Sequence, residues 1–161
     1  MLAIYTAVHV VISLVGIFSG LVVMFGLLNS KRLDGWTKLF LTTTVATSAT
    51  GFFFPFNGIT PAIVTGIISL AVLAPAIYAR YGRHLIGGWR NTYVITAMIA
   101  LYLNVFVLVV QSFLKIPALH QLAPTQSEPP FKIAQLAVLV VFVVLTIAAA
   151  IRFRAEPVEV A

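Results

Sequence analysis

Charged residues fall almost entirely between five long apolar stretches, and this spacing limits the chain to very few folds. The uncharged runs cover roughly 5–28, 39–56, 61–79, 91–114 and 133–151. Each is near the ~20 residues that a helix needs to cross a ~30 Å hydrocarbon core. Only 9% of the 161 residues are charged and 61% are hydrophobic, whereas a soluble domain carries about 25% charged residues. The expectation is an all-α integral membrane protein. Residues 1–161 form a single domain of five transmembrane helices in a compact bundle.

Orientation follows from the ten Lys and Arg residues. Lys31, Arg32 and Lys38 lie in the first connection, Arg80, Arg83 and Arg90 in the third, and Arg152 and Arg154 in the tail. The second connection is uncharged, and the fourth carries only Lys115 and Lys132, partly offset by Glu128. The positive-inside rule then puts the N-terminus outside and the C-terminus in the cytoplasm. The pI of about 10.1 calls for no nucleic-acid partner, because these cations are short juxtamembrane anchors that favour anionic lipid. The first run lacks the basic start of a signal peptide, with no Lys or Arg in Met1–Val8, and is too long for a signal core, so it is expected to be retained as a span. With no cysteine, disulfides and thiolate chemistry are excluded.

Local chemistry refines these boundaries. Ser13, Gly16 and Gly20 form a small-residue stripe that lets a neighbouring helix approach closely, within the chain or in self-association. Trp36 is expected at an interface. Thr60–Pro61 reads as an N-cap and first-turn pair that starts the third span and makes spans two and three a tight hairpin. Pro75 predicts a kink near the end of the third span. In the connection from Lys115 to Phe131, four prolines stiffen a segment that either covers the mouth of the bundle or runs along the headgroups. Ser127 is its expected helix cap, with Glu128 at the positive end of the last helix.

The second and fourth spans carry the polar groups. Thr43, Thr47 and Thr50 share one face of span two, beside Thr44 and Ser48. Such hydroxyls either bond back to their own helix or line a small cavity. Asn104 and Gln111 lie two turns apart on span four. An amide in hydrocarbon is costly without a partner, so this face must look inward. It serves either as interhelical hydrogen-bond glue or as a ligand contact.

The acidic residues Asp34, Glu128, Glu156 and Glu159 all fall in connections or the tail. Pumps and ion-coupled carriers need ionisable groups within the membrane, so those classes are disfavoured. No catalytic set and no metal-ligating cluster stands out. His9, near the end of the first span, is either a hydrogen-bonded interfacial residue or a ligand contact, for a quinone head with Gln111 or for haem b with His120. Two axial histidines on facing helices are missing, which leaves haem the weaker alternative, and no cofactor is assigned.

The stretches Thr47-Ser-Ala-Thr-Gly-Phe-Phe-Phe-Pro-Phe, Leu101-Tyr-Leu-Asn-Val-Phe-Val-Leu-Val-Val-Gln and Leu122-Ala-Pro-Thr-Gln-Ser-Glu-Pro-Pro-Phe resemble a family of small hypothetical inner-membrane proteins of proteobacteria. The resemblance implies a bacterial inner-membrane location and carries no activity onto these positions. The expected function is non-enzymatic: an accessory or assembly subunit of a membrane complex, with membrane lipid and a membrane-protein partner around it. The alternative is a lipid- or quinone-binding protein. Its pocket would be lined by His9, Thr47, Thr50, Asn104 and Gln111, with Gln126 and Glu128 on a lid.

Overall fold

The computed structural model describes residues 1–55 and 58–154, with helices and no strand among them. In chain order they are α1 (Leu2–Leu28), α2 (Asp34–Gly51), α3 (Pro61–Ile77), α4 (Trp89–Lys115), the short α5 (Pro117–Leu122) and α6 (Pro129–Arg152). A π turn (Tyr78–Gly82) prolongs α3. Four helices are long and apolar enough to cross a membrane: α1, α3 with its π turn, α4 and α6. They mark the chain as a helical membrane protein. α2 is not one of the four, because its Thr and Ser residues, with Asp34 and Lys38, lower its hydropathy. It starts inside the charged connection and ends at Gly51, short of the expected limit. Phe56 and Asn57, at the second expected boundary, lie outside the described residues, as do Glu156 and Glu159.

α1 packs on α2, α2 on α3, α3 on α4, and α4 back on α1, closing a ring of four helices. α6 lies outside the ring along α4 and α1. α1 and α2 run antiparallel along their whole lengths, from Gly26 beside Leu33 at one end to Tyr5 bonded to the Thr50 carbonyl (2.6 Å) at the other. The small-residue stripe works within the chain. A Cβ on Gly20 would come within 2.5 Å of Leu101 Cδ1 and 2.8 Å of Phe40 Cε2, so only glycine admits both side chains. Thr60 caps α3 as expected: its hydroxyl accepts from the Ile63 N–H at 3.4 Å, with Pro61 in the first turn.

The end where α1 and α3 finish, called here the basic end, is solid. Val23, Met24 and Leu27 of α1 meet Phe40 and Leu41 of α2, Leu73 and Ala76 of α3, and Val94, Ala97, Met98 and Leu101 of α4 in one buried cluster. Behind it lies Arg80, only 2% exposed. Pro75 lacks the N–H that would extend the ordinary ladder, and α3 then widens into the π turn that carries Arg80. The guanidinium donates to the Asp34 carboxylate and to the Arg32 carbonyl (3.2 Å), and stacks over the Tyr93 ring at 5.1 Å. Arg90 donates to the carbonyls of Phe153 and Ala150 and ties α4 to the end of α6. The sequence reads this basic segment as an interfacial anchor, but in the fold Arg80 is instead a buried clasp joining three helices.

One cap differs from expectation. Glu128, not Ser127, occupies the N-cap of α6, and it makes no side-chain cap bond. Its carboxylate turns back to accept from the Thr125 hydroxyl (2.8 Å) and from the backbone N–H groups of Thr125 (3.3 Å) and Ser127 (3.1 Å). Pro129 and Pro130, which lack an N–H, form the first turn and leave that carboxylate fewer helical donors.

Candidate ligand cavity

Towards the end opposite the basic one, the ring does not close on itself. A cavity of about 560 Å³ opens between α1, α2, α3 and α4, within the range of small-molecule sites. On α4 its lining runs from Leu103 to Lys115, about 18 Å at 1.5 Å per residue. No residue of α6 contributes. Apolar groups make most of the wall, among them Val10, Leu14, Phe52, Val107 and Leu108.

The polar groups lie at three levels. Deepest, on the turns nearest the packed core, are Thr47, Ser48, Ser69 and Asn104. Asn104 donates its amide hydrogen to Thr44 Oγ1 at 3.1 Å, joining α4 to α2 across the ring. Ser13 lies at the level of Thr47; His9, Thr65 and Gln111 come next, and Thr6 and Lys115 stand at the mouth. Lys115 sits in the last turn of α4, where a cation complements the helix dipole.

A local network fixes His9. Its Nδ1 lies 2.9 Å from Thr50 Oγ1, and that hydroxyl also lies 2.7 Å from the Ala46 carbonyl. Thr50 has one hydrogen, and the carbonyl can only accept it. His9 Nδ1 therefore donates to Thr50, which leaves Nε2 as a free acceptor. Phe54 packs edge-on against the imidazole with ring centres 5.1 Å apart, and Tyr5 braces the same turn through Phe54 and the Thr50 carbonyl. Thr50 thus orients His9 rather than lining the cavity. Its hydroxyl hydrogen is committed to the backbone and is not activated by the imidazole.

Of the seven candidate residues, the fold gathers His9, Thr47, Asn104 and Gln111 in one cavity, with Thr50 behind His9. Gln111 has no hydrogen-bond partner among the described residues, whereas Asn104 is used between helices. Gln126 and Glu128 are not in the lining. Gln126 donates to the Val110 carbonyl at 2.9 Å and latches the connection onto the end of α4. Glu128 organises its own turn; desolvation opposes its ionisation, but the Thr125 hydroxyl and the neighbouring N–H groups outweigh this and hold its pKa below 4.5. His120 lies 3.3 Å from the Phe113 carbonyl and does not join His9 in the lining.

The sequence reading passed over Ser13, Ser69 and Lys115 in the lining and Gln135, which donates to the Phe106 carbonyl at 3.2 Å between α6 and α4. For Ser69 there was a signal: Thr65, Gly66 and Ser69 lie on one face of α3. Among the described residues no group of three His, Cys, Asp or Glu is placed to hold a metal ion. Comparisons with protein-family models, with curated proteins and with solved structures find no match.

Proposed function

We propose that this protein binds an amphiphile of the lipid or quinone class in the cavity between α1 and α4, without catalysing a reaction on it. The observation that carries this reading is the gathering of His9, Thr47, Asn104 and Gln111, from three helices, around one mostly apolar space of about 560 Å³. Apolar walls suit a hydrocarbon portion, and a few placed polar groups suit a head. Its described lining residues include no carboxylate, and the hydroxyl beside the imidazole is already committed to the backbone.

The setting proposed is a bacterial inner membrane with five spans, N-terminus outside and C-terminus cytoplasmic. The antiparallel contact of α2 with α1, from Leu33 to Thr50, supports α2 as the fifth span despite its polarity. Nine of its eleven Thr, Ser, Gly and Ala residues are buried or half-buried, because α1 and α3 flank it. The charge pattern supports the orientation. A reporter fused after Ala161 should read cytoplasmic and one inserted near Gln121 periplasmic; the reverse would overturn it.

The accessory-subunit reading rests on a different observation. Leu136, Val140, Val143, Val144, Ile147 and Ile151 form an exposed apolar stripe along α6. That stripe suits lipid or a partner helix, and cross-linking in native membranes separates the two. For the cavity, the test is native mass spectrometry of protein extracted gently from its own membrane. A discrete extra mass, lost in Gln111→Leu with the fold retained, supports binding. A bare chain, or an unchanged adduct in Gln111→Leu, counts against it.

A further inference from the structure

Most hydroxyls on these helices bond back to their own backbone, and two on residues at the cavity floor have no partner at all. Among the lining residues, Thr6, Ser13, Ser48 and Thr65 each donate to the carbonyl four residues back, at 2.8–2.9 Å. Ser19, Thr43, Thr50, Thr96, Ser112 and Thr146 do the same elsewhere. Thr47 Oγ1 and Ser69 Oγ, by contrast, are buried with no hydrogen-bond partner. Ser69 is only 3% exposed, and both residues line the cavity from adjacent helices in the ring, α2 and α3. A helical hydroxyl has an easy local acceptor, and a buried one without a partner carries a desolvation penalty. Two such hydroxyls on residues that line one cavity are two unused donors, covered in this structure and brought to the cavity by rotation about χ1.

Building on the amphiphile reading, we infer that Thr47 and Ser69 donate hydrogen bonds to a carbonyl oxygen of the ligand. The ligand is therefore a neutral carbonyl-bearing head inserted to the floor, with its hydrocarbon portion along Val10, Leu14, Val107 and Leu108. A quinone ring and a fatty ester both carry that oxygen. The acceptor at the upper level, His9 Nε2, and the free amide of Gln111 meet whatever polar group the head presents on its other side. One Asn104 amide hydrogen is used on Thr44, and the second can join the two hydroxyls as a donor at the floor.

The test uses the full chain in vesicles of diether phospholipid, which contain no carbonyl. Carbonyl-labelled decyl-benzoquinone and a carbonyl-labelled monoacyl ester lipid are titrated separately, and affinity and the infrared carbonyl band are read. For one of the two probes, a band shifted to lower frequency is expected. In Thr47→Val/Ser69→Ala the shift disappears and the affinity falls about tenfold, as expected for losing ~1.4 kcal/mol. Because neither hydroxyl has a partner to lose, the unliganded double variant should melt no lower than the wild type, so weaker binding is not explained by unfolding. Binding with an unshifted band, or with unchanged affinity in the double variant, overturns the floor assignment while the amphiphile reading stands. If neither probe binds but an extracted native ligand is retained, the carbonyl chemistry is wrong. If nothing is retained and nothing binds, the binding reading fails with it.

Discussion

The two halves of this bundle use the same small residues to opposite ends. Near the basic end, Gly20 lets Leu101 and Phe40 enter the gap between α1 and its neighbours, and the helices close on one another. In the far half, a Cβ on Gly51 would find only His9 Cε1, at 3.8 Å, within contact range, and Ser13 and Thr65 line the cavity. A small residue brings helices together where a large neighbour fills the gap, and leaves a void where none does. Residues along one helix show the change: on α4, Val94, Ala97, Met98 and Leu101 are buried, while Asn104, Val107, Leu108 and Gln111 line the cavity. Void surfaces lose dispersion contacts, so the far half gives up packing that the near half keeps, and gains room for a ligand.

The largest expected effect tests this contrast directly. Leu101→Ala removes a side chain that is 1% exposed and should cost about 2–5 kcal/mol in unfolding free energy. Leu108→Ala, one turn pair along the same helix and 38% exposed, should cost less than about 1 kcal/mol, since it leaves no new closed cavity. Equal losses would erase the distinction between the halves. Next in size, Gly20→Val forces its new methyls onto Leu101 and Phe40 and should destabilise by about 1–3 kcal/mol. A neutral result would show that the packed half has slack. Ser13→Phe probes the hollow half from the other side. Its ring should fit the cavity with a stability change within about 1 kcal/mol, while the co-purifying ligand disappears. The smallest effect is at Glu128. Its folded pKa lies below 4.5, so its contribution is present above the ordinary carboxylate range and fades as pH falls through the lower folded value. Melting of the wild type, relative to Glu128→Gln, should lose its advantage only in that acid window; a difference that persists below it would point to another cause.

Much of this arrangement was legible in the residues because hydrocarbon makes polarity expensive. The uncharged runs located the helices, and the cost of an unpartnered amide turned Asn104 and Gln111 inward before any packing was known. His9 and Thr47 joined them because both sit on faces that share the far half. The rest depends on how separate segments meet, which spacing along one chain does not encode. Arg80 looked like another interfacial cation because its partner, Asp34, belongs to a different connection, and only the π turn after Pro75 carries it into the core. Gln126 looked like a lid residue, but α5 folds the connection so that its amide reaches the Val110 carbonyl instead. Ser69 was passed over, since a serine's missing back-bond is visible only once its surroundings are.

The absence of cysteine from the sequence makes the central claim directly measurable. Ser13→Cys and Ser19→Cys place the same thiol on α1, the first in the cavity lining and the second fully buried against the packed half. In membranes, the account predicts that a small thiol reagent modifies Ser13→Cys, that saturating amphiphile slows this reaction, and that Ser19→Cys stays unmodified. Equal reactivity at the two positions, or reaction at Ser19→Cys alone, would contradict it.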